Sequence, residues 1–142
     1  MKKLLIISLL CISTSAYTQN VVGSWKRVSS VMEYADGKAD DLQKNMSRVY
    51  PCSKDIKYVF EKTGKHFMIL PKGCEDIPNI PADWKMVGNQ FNISQKAGKE
   101  SMSTSYELSF SGNTMTMSHN YTDAEQVSKV KIKRIVLKYE RL

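Results

Sequence analysis

Three short turn signatures, Lys62-Thr63-Gly64, Gly88-Asn89 and Gly112-Asn113, each sit between stretches in which apolar and polar residues alternate. A tight turn fixes which residues oppose each other across a hairpin, so these positions dictate register as well as chain direction. With residues 62–64 as a three-residue loop and Gly64 in the left-handed conformation, Ile56 opposes Leu70, Tyr58 opposes Met68 and Phe60 opposes His66. The Gly88-Asn89 turn sets Met86 against Phe91 and Trp84 against Ile93. The Gly112-Asn113 turn sets Phe110 against Met115, Leu108 against Met117 and Tyr106 against His119. In every hairpin one face is apolar and the other carries mostly Lys, Glu, Gln, Asn, Ser and Thr, so one side faces a core and the other water.

The same alternation extends over eight stretches: Val22 to Tyr34, Asp55 to Glu61, Lys65 to Leu70, Asp83 to Val87, Gln90 to Ser94, Thr104 to Phe110, Thr114 to Tyr121 and Lys129 to Tyr139. Helical periodicity is confined to Asp40 to Met46. Connections alternate in length: long at 35–54, tight at Gly64, long at 71–82, tight at Gly88, longer at 95–103, tight at Gly112 and longer at 122–128. In a meander, alternate connections fall at opposite ends, which gathers the long loops at one rim and the tight turns at the other. The chain is therefore expected to be all-β: an eight-stranded antiparallel up-and-down barrel with one short helix in its first long loop. Closure removes exposed sheet edges and leaves room for side chains or one small ligand.

The first residues read as an address rather than as structure. Lys2 and Lys3, the apolar run Leu4 to Ile12 and the small residues through Ala16 form a secretory signal pattern with cleavage expected after Thr18. That divides the chain into a signal at 1–18 and a barrel domain at 19–142, a length at which roughly two-thirds of the unfolded surface can be buried. Leu10 precedes Cys11 where a lipid-anchored precursor needs a small residue, so the expected location is secreted or periplasmic rather than lipid-anchored. No other stretch is apolar enough for a transmembrane helix.

Without the signal, 19 basic residues face 14 acidic ones, and the excess of five is spread along the chain. This distribution fits ordinary solubility, with an anionic ligand or membrane surface as the alternative, and no nucleic-acid partner is expected. Cys11 would leave with the signal, so Cys52 and Cys74 are left in an oxidising compartment and are expected to pair. The register of the 62–64 hairpin also sets them opposite each other just beyond the strand ends. Opposed antiparallel residues lie about 4.5 to 5.5 Å apart at Cα, a separation that a disulfide spans.

Gly23-Ser24-Trp25 resembles the Gly-x-Trp signature of lipocalins, and Arg141 falls where their last strand supplies an arginine over that tryptophan. A closer resemblance, from Val22 to Leu142, is to the lipocalin-like domain of exported bacterial proteins. It is carried by Val22-Gly23-Ser24-Trp25-Lys26, by Cys52-Ser53-Lys54-Asp55 leading into Tyr58-Val59-Phe60, by Gly73-Cys74 with the later Trp84, and by Tyr139-Glu140-Arg141. The resemblance implies a structural role for Gly23, Trp25 and Arg141, with the indole plugging the floor under the guanidinium. It also implies that the segment holding Asp40 to Met46 arches over the mouth with Leu42 and Met46 facing inward. Two features of transport lipocalins are missing: their Thr-Asp-Tyr element, since Thr122-Asp123 is followed by Ala124 in another loop, and a helix after the last strand.

If the apolar faces point inward, the candidate cavity lining is Tyr58, Met68, Trp84, Ile93, Tyr106, Leu108, Met117 and His119, with Tyr121 at the rim. Methionine adapts to irregular shapes, and tyrosine or tryptophan offers an apolar body with a polar tip, which suits a small hydrophobic ligand bearing one polar group. The competing reading is a barrel filled by its own side chains. His66 and His119 are the only histidines, too few for a zinc site once the cysteines are paired, so no metal or cofactor is expected. No serine sits in an elbow motif, and neither histidine has an acid next to it in sequence, so no enzymatic activity is expected. Asp40-Asp41 and Glu75-Asp76 fall in long loops as capping or solvated pairs. Val59, Phe67 and Ile69 interrupt the polar face of the second and third strands. They suggest either a dimer or protein-partner surface or a patch covered by the terminus or a loop, the alternative function being an interaction or inhibitor module built on a filled barrel.

Overall fold

The structure is a computed structural model and describes residues 20–127 and 129–142; the expected signal at 1–18 lies outside the described residues. Among the described residues there are nine strands: β1 (Gly23–Tyr34), β2 (Ala39–Asp41), β3 (Lys57–Phe60), β4 (Lys65–Ile69), β5 (Ala82–Val87), β6 (Gln90–Ala97), β7 (Glu100–Ser111), β8 (Thr114–Asn120) and β9 (Ile132–Arg141). One helix, α1 (Leu42–Val49), follows β2, and 3-10 turns cover Pro51–Asp55 and Asp123–Glu125.

β1 and β3 through β9 pair antiparallel with their chain neighbours, and β9 returns to pair with β1, closing an eight-stranded barrel. β2 is the extra strand. It pairs with the far half of β1, Val31 to Glu33, while the near half, Gly23 to Lys26, pairs with β3. One long strand thus serves both the barrel wall and a short ribbon that starts the loop over the mouth.

The turn chemistry sets the registers. Tyr58 pairs with Met68, Phe60 with His66, Met86 with Phe91, Trp84 with Ile93, Leu108 with Met117 and Phe110 with Met115. Gly64, Gly88 and Gly112 all have positive φ, as the turns require. Cys52 and Cys74 form a disulfide across 5.9 Å between Cα atoms. Cys52 sits in the 3-10 turn rather than on an extension of β3, so the bridge ties that turn to the 70–81 loop.

Two boundaries differ from the sequence pattern. Residues 95–103 are not a loop: β6 and β7 continue to Ala97 and Glu100 and meet at a tight turn where Gly98 has φ 65°. Their tips are largely solvated, so they lack the apolar alternation that marks a strand with one core face. The helix begins at Leu42, because Asp41 caps it by accepting from the Lys44 amide at 2.8 Å. The three residues before it join β2.

The ladder between β4 and β5 is short, with only Lys65 to Asp83 and His66 to Ala82 paired. Beyond it the side chain of Asn79 takes the place of a strand, its Oδ1 accepting from Met68 N at 3.2 Å and its Nδ2 donating to Met68 O at 2.8 Å.

Candidate functional site

The tight-turn end of the barrel is solid. Val21, Trp25, Phe60, Phe91 and Met115 have almost no solvent exposure and fill it, with Trp84 tilted against Phe91 at 5.5 Å between ring centroids. The Trp84 indole N–H is shared between the carbonyls of Glu61 (3.0 Å) and Lys65 (3.1 Å), which docks the ring on the 62–64 turn. Trp25 donates to the Val21 carbonyl at 2.8 Å, and the Arg141 guanidinium lies 4.3 Å above its ring. Arg141 also donates to the carbonyls of Val22 (3.0 Å) and Asn20 (2.5 Å), so the last strand pins the segment that enters the first. Gly23, with φ 141°, sits so close that a Cβ there would lie 2.8 Å from Arg141 Nη1. These contacts give the Gly-x-Trp and terminal Arg pattern its physical reason.

Above this floor the barrel is hollow. A cavity of about 210 Å³ is bounded by Arg27, Tyr58, His66, Ile93, Gln95, Met102, Thr104, Tyr106, Met117, Leu137 and Tyr139. Arg27 is turned inward by its even spacing from Trp25; a bulge after it leaves Val28 pointing outward and lets Ser30 return to the interior. From α1, which lies over this side of the mouth, Gln43 accepts from Arg27 Nε at 2.8 Å and Met46 Sδ accepts from Nη2 at 3.6 Å. The guanidinium stands 5.0 Å from the centroid of Tyr58 and shares the cavity lining with Tyr139.

Burial favours the neutral form of the other titratable groups of the cavity. Burial raises the phenols of Tyr58 and Tyr139, in each case opposed by the nearby Arg27, and burial together with Tyr121 raises that of Tyr106. Burial lowers the imidazole of His66 below its ordinary value, an effect partly opposed by its bond to Val59. There Nδ1 donates to the Val59 carbonyl at 3.0 Å, while the ring stacks on Phe60 at 4.1 Å. Arg27 is the one charge on the lining.

Of the residues singled out from the sequence, Tyr58, Ile93, Tyr106 and Met117 lie together on this cavity. Met68 and Leu108 are half-buried against the core; Leu108 also lines a separate hollow of about 270 Å³ beside Met86 and the 88–89 turn. Trp84 belongs to the floor. His119 stands at the rim, in edge contact with Tyr106 (6.0 Å) and Tyr121 (4.8 Å). It has an acid neighbour that sequence adjacency did not reveal: Glu125 lies 3.0 Å from Nε2, while Nδ1 donates to the Ser105 carbonyl at 2.7 Å. Both ring nitrogens are therefore occupied. Met46 faces inward to Arg27, and Leu42 is half-buried. On the outer face Val59 and Phe67 pair across strands and are half-buried, whereas Ile69 is half exposed.

Sequence reasoning passed over Arg27, His66, Gln95, Met102, Thr104, Leu137 and Tyr139 as lining residues. An arginine in a strand reads as a solvated residue, yet its parity with Trp25 was the signal that it points inward. Parity in the last strand likewise places Leu137 opposite Met117 and Tyr139 opposite Met115. Gln95 and Met102 were hidden because residues 95–103 read as a loop, and Thr104, though in the seventh strand, reads as a polar residue rather than as lining.

The fold is a closed eight-stranded antiparallel barrel, packed at one end and hollow toward its loop-bearing rim. A family model described as lipocalin-like domain matches residues 21–117, and the chain belongs to that family. No curated protein and no solved structure gives a significant match to the chain. No described helix is long and apolar enough to cross a membrane.

Proposed function

We propose that the protein is an exported, non-enzymatic binding module whose barrel holds one small ligand with an apolar body and a polar group. The observation that carries this reading is the hollow above the packed floor, about 210 Å³ and lined by Tyr58, Ile93, Tyr106, Met117 and Leu137. Typical small-molecule sites enclose roughly 300 to 1,000 Å³, so the ligand here is small. Membership of the lipocalin-like family supports a binding role. Export is supported by the apolar amino-terminal run and by the Cys52–Cys74 disulfide, a bond that persists in oxidising compartments. A non-catalytic role is supported by the histidines, since His119 has both nitrogens occupied and His66 donates to backbone.

Native mass spectrometry of the protein purified from its own host tests this directly, with a retained small molecule as the expected result. In parallel, Met117→Trp and Tyr106→Trp fill the hollow and should abolish saturable uptake of small hydrophobic compounds while the circular dichroism spectrum is kept. No saturable binding by the wild-type protein across such a panel would remove the reading.

A further inference from the structure

We propose that the ligand is a small aromatic monocarboxylate whose anionic head is held by Arg27; this rests on the cavity being a ligand site. The guanidinium faces a hollow that contains no compensating charge. Among the described residues the ion pairs engage Lys38, Lys65, His119, Lys131 and Arg134, not Arg27, and no aspartate or glutamate lines the cavity. Arg27 is the one Lys, Arg, Asp or Glu on the lining, and burial favours the neutral forms of His66 and the three tyrosines, so the complement of the site is a single negative charge.

The donors point to a carboxylate. A guanidinium offers five N–H groups in a planar fork that matches two carboxylate oxygens. On Arg27, Nε is satisfied by Gln43, whereas Nη2 meets the Met46 thioether at 3.6 Å, a weak acceptor that a carboxylate oxygen outcompetes. Tyr58, whose ring centroid lies 5.0 Å from the guanidinium, and Tyr139 line the same cavity, and a phenol can donate to the second carboxylate oxygen.

The size and walls point to one ring. An apolar cavity of about 150 Å³ accommodates benzene, so about 210 Å³ holds a six-membered ring with a short acidic arm. Tyr58, Tyr106 and Tyr139 provide aromatic edges and faces, and Ile93, Met117 and Leu137 the aliphatic remainder.

The test is isothermal titration of phenylacetate and its uncharged isostere phenylacetamide against the wild-type protein, Arg27→Gln and Arg27→Lys. Phenylacetate should saturate one site and bind wild type at least about tenfold more tightly than the amide, the usual margin for hydrogen bonds to charged groups. Arg27→Gln should erase the preference for the acid, and Arg27→Lys should keep part of it. Equal or better binding of the amide by wild type overturns the carboxylate assignment and leaves the binding module standing. So does failure of phenylacetate while neutral aromatic compounds bind. Failure of acid, amide and the neutral compounds together brings down the binding reading as well. If Arg27→Gln does not fold, the acid-to-amide ratio on wild type decides alone.

Discussion

Gly23→Ala should be far more damaging than the loss of a glycine in a solvated turn, because two separate costs meet there. The first is backbone strain: φ 141° is a conformation that side chains rarely adopt, at a cost of about 1 to 3 kcal/mol. The second is displacement. The new methyl group would lie 2.8 Å from Arg141 Nη1, which donates to the Val22 carbonyl at 3.0 Å, while the guanidinium centre lies 4.3 Å over Trp25. Relieving the clash means moving the guanidinium off the indole, forfeiting a cation and ring contact of about 0.5 to 1 kcal/mol at an exposed site. With one weakened hydrogen bond of about 1 kcal/mol, the total for Gly23→Ala is about 2.5 to 5 kcal/mol. Arg141→Ala alone should cost about 1 to 2 kcal/mol from the same contacts. In the Arg141→Ala background the methyl has nothing to displace, so Gly23→Ala there should cost only the strain. The two single effects should therefore exceed the double mutant by about 1 to 2 kcal/mol in a double-mutant cycle. Urea unfolding, followed by tryptophan fluorescence at constant slope, measures all four corners. Gly23→Ala within 0.5 kcal/mol of wild type, or single effects that simply add, would refute the latch between first and last strands.

Replacing Cys52 and Cys74 by serine opens a loop spanning 22 positions and should remove about 3 kcal/mol of stability by the chain-entropy account. For a domain of this length that lowers Tm by about 10 °C; a calorimetric shift below 3 °C would mean the bridge constrains little. Alkaline titration reports on the buried phenols. Tyr58, Tyr106 and Tyr139 all have folded values raised above the ordinary tyrosine value, so the folded state holds more protons than the unfolded one above about pH 10. Their contribution is complete below that pH and is lost as pH rises toward the folded values, by up to about 1.4 kcal/mol per pH unit for each phenol. Unfolding midpoints that stay flat between pH 9 and 12 would contradict the burial. Asn79→Ala removes both bonds to Met68 and should raise amide exchange at Phe67 to Ile69 while leaving the β7–β8 amides unchanged, as hydrogen exchange can show. A uniform effect across the barrel would count against a local splint.

Much of the container was legible because turns are local chemistry. Gly64, Gly88 and Gly112 need conformations that their flanking residues do not, and each turn fixes a register that carries its apolar pairs. The hollow was less legible. Parity identified Tyr58, Ile93, Tyr106 and Met117 as inward, but how far down the barrel each sits depends on tilt and on where Trp84 docks, which no local pattern reports. The chemistry was hidden further. Arg27 is inward by parity yet polar by type, and the type outweighed the parity. The β6–β7 tips look like loop because water on both faces erases alternation, and β2 was invisible because three exposed residues carry no pattern. Glu125 reaches His119 through the Thr122 capping arrangement, whose amide and hydroxyl hold that carboxyl below its ordinary value.

The seam of this cylinder joins β1, the first of the described strands to be synthesised, to β9, the latest of them. Until residues 132–141 emerge, the nascent wall is an open ribbon with two unsatisfied margins, each a template for a neighbouring chain. A shortened product, cut anywhere before Ile132, has no means of closing and keeps both margins. Emergence of β9 is thereby built into the fold as a condition for escaping aggregation, and a holding chaperone would bridge that interval.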